Sequence, residues 1–219
     1  MFKVAWIFYI NKEDIGVEME MQEIIKGGWI MLPLLICSIA AVGTMMERFC
    51  YFRRIRLMGE PEAFLECVNK GKLEEALEKT VGSNLPVMRV LRSGVEEPSV
   101  ITKSMESAAI LEVSKLKRGM PILDTIITVS PLLGLLGTIV GMMSSFNIMA
   151  MSGIAQPNAV TGGVGEALIS TASGIVVAVA ALLPYNYFSV RIEQEIEHIE
   201  YYASKLEGLY LKMTKGEAA

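Results

Sequence analysis

The sequence predicts an all-α membrane protein. It should have three transmembrane helices, long cytoplasmic helical extensions, an outside N-terminus and a homo-oligomeric assembly. Three observations lead to this reading. The first is that the apolar residues are bunched. Of 219 residues, 52% are hydrophobic and the mean hydropathy is +0.43, more apolar than a soluble domain of this length. Gly27–Met46, Thr125–Gly165 and Ala167–Val190 carry no charge, and about 20 helical residues cross a hydrocarbon core of ~30 Å. The second is the uneven placing of basic residues around those runs. The third is one carboxylate: across the 66 residues from Thr125 to Val190, Glu166 alone is charged.

Residues 1–26 form an N-terminal segment whose start, "MFKVAWIFYI", lacks the long apolar core and cleavage site of a signal peptide. It reads as interfacial, with Trp6 and Tyr9 at headgroup level. Residues 27–48 form the first span. Arg48, Arg53, Arg54 and Arg56 follow it, and Lys115, Lys117 and Arg118 precede the second span. Residues 49–120 are therefore cytoplasmic. That stretch reads as short helices punctuated by Gly71 and Gly82, another stopped by Gly94, and one from Pro98. The last shows apolar spacing at Ile101, Met105, Ala108, Leu111 and Leu116 and can run into the second span. The second span is 121–150. Residues 151–157 make an outside turn, with Gly153 breaking one helix and Pro157 suiting the start of the next.

The third span, 158–190, continues into a cytoplasmic tail, 191–219. Its residues Ile192, Ile196, Ile199, Ala203, Leu206, Tyr210 and Met213 form an apolar heptad seam. Spacing leaves two partners open for the seam: the chain's own 49–120 helices, or other copies. Cys37, Cys50 and Cys67 have no paired spacing and His198 stands alone, so neither a disulfide framework nor a metal site is expected. No cofactor is expected, and the net charge of −4 gives no sign of a nucleic-acid partner.

The second and third spans carry the chemistry. Ser130, Gly134, Gly137, Gly141 and Ser145 form one small-residue stripe; Gly163, Ala167, Ser170, Gly174, Ala178 and Ala181 form another. Such stripes let helix backbones approach closely in lipid, and Gly137 and Gly141 add a GxxxG pair. A carboxylate near mid-membrane is costly. Counted from Pro157, Glu166 lies about 13 Å along the helix. Ser170 and Ser173 share its face, Thr171 lies about 140° round the helix, and Thr138 falls near the middle of the second span. Such a carboxyl can gain or lose a proton as water or a partner reaches it, which suits a proton relay. The competing reading is a protonated Glu166 that only bonds a neighbouring helix; the relay is favoured. Three helices with one carboxylate enclose no pore, whereas a ring of copies does.

The segments "PLLICSIAAVGTMMER" (33–48), "SPLLGLLGTIVGMMSSF" (130–146) and "GVGEALISTASGIVVAVAALLPYN" (163–186) resemble the MotA/TolQ/ExbB proton-channel family, in its ExbB/TolQ branch. The resemblance runs from about residue 20 to the end. It implies a pentamer in the bacterial inner membrane whose second and third helices surround the single-span helices of an ExbD/TolR-like partner. Inward proton flow then drives mechanical work, here for TonB-dependent outer-membrane transport, with a TonB/TolA-like protein as a further partner. It makes Glu166 the pore carboxylate, with Thr138 and Thr171 as its polar companions; helical spacing, not the resemblance, adds Ser170 and Ser173 as candidates for further lining. Gly134, Gly137, Gly141 and Gly174 serve helix packing. Related sequences often carry a proline where this chain has Ala180; here it stands at Pro184. Asp124 matches no transferable motif and is expected to meet interfacial water or a nearby lysine. The alternatives are a TolQ-like envelope-maintenance or other stator subunit, and a non-conducting membrane scaffold. An enzyme is the weakest rival, since no nucleophile–base pair or phosphate loop is apparent.

Overall fold

The computed structural model describes residues 29–55, 60–152 and 157–216. The segment 1–26, expected to be interfacial, and residues 153–156 of the expected outside turn lie outside those residues. Among the described residues there is no strand. The elements are α1 (Met31–Ile55), α2 (Pro61–Asn69), α3 (Leu73–Thr80), α4 (Pro86–Glu96), a short 3-10 turn (Pro98–Val100), α5 (Ile101–Lys117), α6 (Met120–Ser152) and α7 (Pro157–Gly216). Of these, α1, α6 and α7 contain stretches long and apolar enough to cross a membrane. This is a multi-pass membrane protein.

The chain divides into two units: Met1–Ala40 with Thr125–Ala180, and Ala41–Asp124 with Ala181–Ala219. The first unit has little apolar interior. Ile30, Leu34 and Ile126 are buried, but Leu32, Leu35, Ile36, Leu132, Leu136, Ile139, Leu168, Ile175 and Val176 all face outward. Large exposed apolar surfaces on this scale are not left in water, whereas hydrocarbon accommodates them at no cost.

The second unit has an ordinary close-packed core. Phe64, Val68, Ala76, Val90 and Leu91 from α2–α4 meet Met105 and Leu116 of α5 and Phe188, Ile192, Ile199 and Leu206 of α7. Local signals set the short helices. Proline occupies a first-turn position in α2 and α4. The end of α2 is a Schellman turn: Gly71, at φ +73°, donates to the Val68 carbonyl at 2.9 Å, and Lys72 donates to that of Cys67 at 3.0 Å. The tail seam thus packs on the chain's own helices through Ile192, Ile199 and Leu206, the first of the two partners left open by its spacing.

Three local expectations are corrected. Gly94 does not stop α4, which runs to Glu96. Its bare Cα instead admits α5: a Cβ there would stand 2.7 Å from Met105 Cγ and 3.1 Å from Ile101 Cγ1. Leu111 faces outward, and Glu112 takes the buried position on α5. It is seven residues beyond Met105 and four before Leu116, so it shares their face. Its charge is balanced by Arg89 at 3.1 Å and Lys115 at 2.7 Å. Finally, α5 does not run unbroken into α6, because Gly119, at φ +79°, separates them.

Leu206 is fully buried in the second unit's core. Leu206→Ala should cost about 3 kcal/mol and lower the unfolding midpoint of the purified protein. Alanine at the outward Leu211 should leave the midpoint nearly unchanged.

Candidate functional site

The candidate site lies in the first unit, where α6 and α7 are in backbone contact. Small residues create that contact, and the space a Cβ would need measures its closeness. At Gly174 a Cβ would stand 2.5 Å from the Ser130 carbonyl oxygen and 3.0 Å from Gly134 Cα. At Gly134 it would stand 3.1 Å from Ser170 O and from Thr171 Cα. At Gly141 it would meet Ala167 Cβ and Gly163 O at 3.0 Å. A Cβ at Gly137 would overlap the Ser170 hydroxyl, and one at Gly163 the Ser145 hydroxyl. The two stripes therefore run antiparallel in direct apposition, from Ser130 opposite Gly174 to Ser145 opposite Gly163.

Polar groups decorate this seam. Thr171 donates its hydroxyl to the Gly134 carbonyl at 3.0 Å, a hydrogen bond from α7 to α6. Thr138 donates to the Leu135 carbonyl one turn back on its own helix at 2.6 Å, and Ser145 to that of Gly141 at 3.0 Å. Ser130 and Ser170 are fully buried, and no described residue bonds their hydroxyls. A neutral helix–helix contact normally pairs such groups, so this seam keeps unused hydrogen-bonding capacity at its middle, in Ser170, and at one end, in Ser130.

Glu166 stands half-buried beside Ala167, on the flank of the seam. No ion pair or hydrogen bond from another described residue reaches its carboxylate. Ser170 follows at i+4 and Ser173, also half-buried, at i+7, so helical spacing sets both near the glutamate's face. The structure brings Ser170 into the contact itself, and places Ser173 on the glutamate's flank and Thr171 on the other flank of the stripe. A carboxyl of this kind, in a span with no basic side chain, can bind a proton and release it to an oxygen acceptor. Among the described residues no cluster of three or more potential metal ligands exists.

Asp124 belongs to the second unit. It lines a groove of about 510 Å³ with Lys117, Met120, Tyr185, Ser189 and Glu193. Pro184 is accommodated inside an α7 that continues to Gly216. Sequence reasoning missed the acceptor of Thr171: its partner is a backbone carbonyl, which no side-chain pattern marks. Ser130 and Ser145 carried a usable signal, since their 4-3-4-4 spacing with the glycines puts them in the seam.

The model of the MotA/TolQ/ExbB proton channel family matches residues 71–201, a span holding Thr138, Glu166 and the whole seam. The chain belongs to this family. ExbB-like 1 of Synechocystis sp. is 33% identical over 87% of this chain and 78% of its own length. ExbB-like 3 of the same organism is 35% identical over 84% of this chain and 91% of its own. The Tol-Pal system protein TolQ of Pseudomonas aeruginosa is 28% identical over 82% and 85%. These relatives carry ExbB- and TolQ-type names, and the chain is an energy-transducing subunit of the MotA/TolQ/ExbB type.

Two substitutions separate packing from polarity in the seam. Gly174→Val places branched carbons against the α6 backbone and should abolish the α6–α7 contact, seen as loss of a disulfide engineered between the two helices. Thr171→Val removes one interhelical hydrogen bond, worth about 0.6 kcal/mol on average in membranes, and should leave the same disulfide intact.

Proposed function

We propose that the chain is the proton-channel subunit of an inner-membrane motor, coupling inward proton flow to mechanical work. In this reading several copies, five by the resemblance to the family, form a ring around the single spans of an ExbD/TolR-like partner. The work energises TonB-dependent outer-membrane transport through a TonB-like protein. The observation that carries the proposal is Glu166: the sole charge between Thr125 and Val190, half-buried and without a cationic partner among the described residues. A structural carboxyl would be expected to bond across the seam, as Thr171 does. Glu166 instead leaves its oxygens to whatever enters the ring.

Thr138 and Thr171 are the proposed companions of Glu166 in the pore, with Ser170 and Ser173 supplying further oxygens and Gly134, Gly137, Gly141 and Gly174 holding the two helices together. Each oxygen offers a proton or a water a place to stop. The proton's final acceptor belongs to the partner. A second reading has its own support: the TolQ relative aligns over most of the chain, which favours envelope maintenance as the process driven. The ring and its proton path are the same in both.

Glu166→Gln keeps the volume and the hydrogen-bonding groups and removes the exchangeable acid. Proton flux into vesicles holding the partner-bound complex should fall by about a hundredfold or more, as loss of a proton-transfer group does, with the oligomer still assembled. Wild-type flux in this variant would falsify the relay and favour the scaffold reading.

A further inference from the structure

The end of α1 holds a buried cation that the proton path does not use. Arg48 is 2% exposed. Its Nη1 donates to the Lys115 carbonyl at 3.2 Å and the Leu116 carbonyl at 3.4 Å, while Nη2 donates to Glu47 Oε1 at 2.9 Å. The guanidinium also lies 4.9 Å from the centre of the Tyr51 ring. Lys115 and Leu116 are in the last turn of α5, where the helix dipole is negative; the Lys115 carbonyl also accepts from the Arg118 amide that caps the helix, at 3.4 Å. Arginine suits this position because it is permanently charged and its fork reaches two acceptors at once.

The acceptors border the joint between α5 and α6. Gly119 turns the chain at φ +79°, and its carbonyl receives the first amides of α6, from Ile122 at 3.2 Å and Leu123 at 3.4 Å. A Cβ on Gly119 would stand 3.0 Å from Thr44 Cγ2 and 3.7 Å from Arg48 Nε, so one turn of α1 is seated in the joint. Lys115 is held from its other end too, through its ammonium on the buried Glu112 at 2.7 Å.

We propose that Arg48 is a positioning residue for proton conduction. Its guanidinium fixes the α5–α6 joint and thereby the register of α6, the helix that carries Thr138 and one side of the seam. The proposal rests on the reading of α6 and α7 as the proton path. It also makes a structural claim that stands apart from that reading: the first turn of α6 is ordered by Arg48.

The test compares Arg48→Gln, Arg48→Lys and Gly119→Ala in the full chain, bound to its natural partner and reconstituted in vesicles. The readouts are dye-reported proton flux, oligomer size and hydrogen exchange. With assembly unchanged, Arg48→Gln should lower flux about tenfold, the scale set by losing one or two net hydrogen bonds, and speed exchange at the Ile122 and Leu123 amides. Arg48→Lys, which keeps the charge and one donor, should recover much of both, and Gly119→Ala should reproduce the loss. If Arg48→Gln fails to assemble, the Lys and Gly119 variants carry the comparison. Unchanged exchange at Ile122 and Leu123 overturns the positioning role, whatever Glu166 does. Altered exchange with wild-type flux overturns the link to conduction. A conducting Glu166→Gln control instead overturns the proton-path reading and leaves the exchange result to judge Arg48.

Discussion

Everything proposed here depends on how closely α6 and α7 approach. Lipid supplies no hydrophobic force to join two helices, so contact has to come from backbone packing and hydrogen bonds. The glycines and serines at 130, 134, 137, 141, 163, 170 and 174 make that packing possible, and Thr171 bonds across it. Two consequences follow. Along the seam most of the larger side chains of both helices are turned outward. The polar atoms are gathered along one line, with Glu166 at its edge.

The second unit solves a different problem with different means. Its core of Phe64, Met88, Leu91, Leu116 and Leu206 is that of a water-soluble helical domain, and its buried charge is neutralised within the unit. Glu112 has two cations and Arg48 has two carbonyls and a carboxylate, whereas Glu166 has no such partner among the described residues. A buried charge with partners belongs to the structure; one left open is available for chemistry. This contrast within a single chain is the physical reason for assigning Glu166, and not Glu112 or Arg48, to proton transfer.

Much of this was legible in the sequence. The uncharged runs located the apolar helices because a bilayer demands length and freedom from charge, and the 4-3-4-4 spacing of small residues located the seam because helical period is fixed. The heptad in the tail identified an apolar face but not its partner, since Ile192 to Met213 would suit any apolar surface. Gly94 misled because a glycine ends a helix or admits a neighbour with the same residue, and only the presence of Met105 decides. Leu111 and Glu112 exchanged roles because a carboxylate with Arg89 and Lys115 beside it can be buried, and Arg89 is brought there by tertiary folding. Arg48 counted only as a basic residue after a span, and its acceptors, two backbone carbonyls, leave no mark in a sequence.

The central claim is that Glu166 exchanges its proton and is not a permanently protonated packing group. Infrared titration of the reconstituted, partner-bound complex tests this most directly, by following the carbonyl stretch of a protonated carboxyl and comparing wild type with Glu166→Gln. The account predicts a band that disappears as the medium is made alkaline and that the Gln variant lacks. A Glu166 band that persists unchanged from acid to alkaline conditions would contradict it.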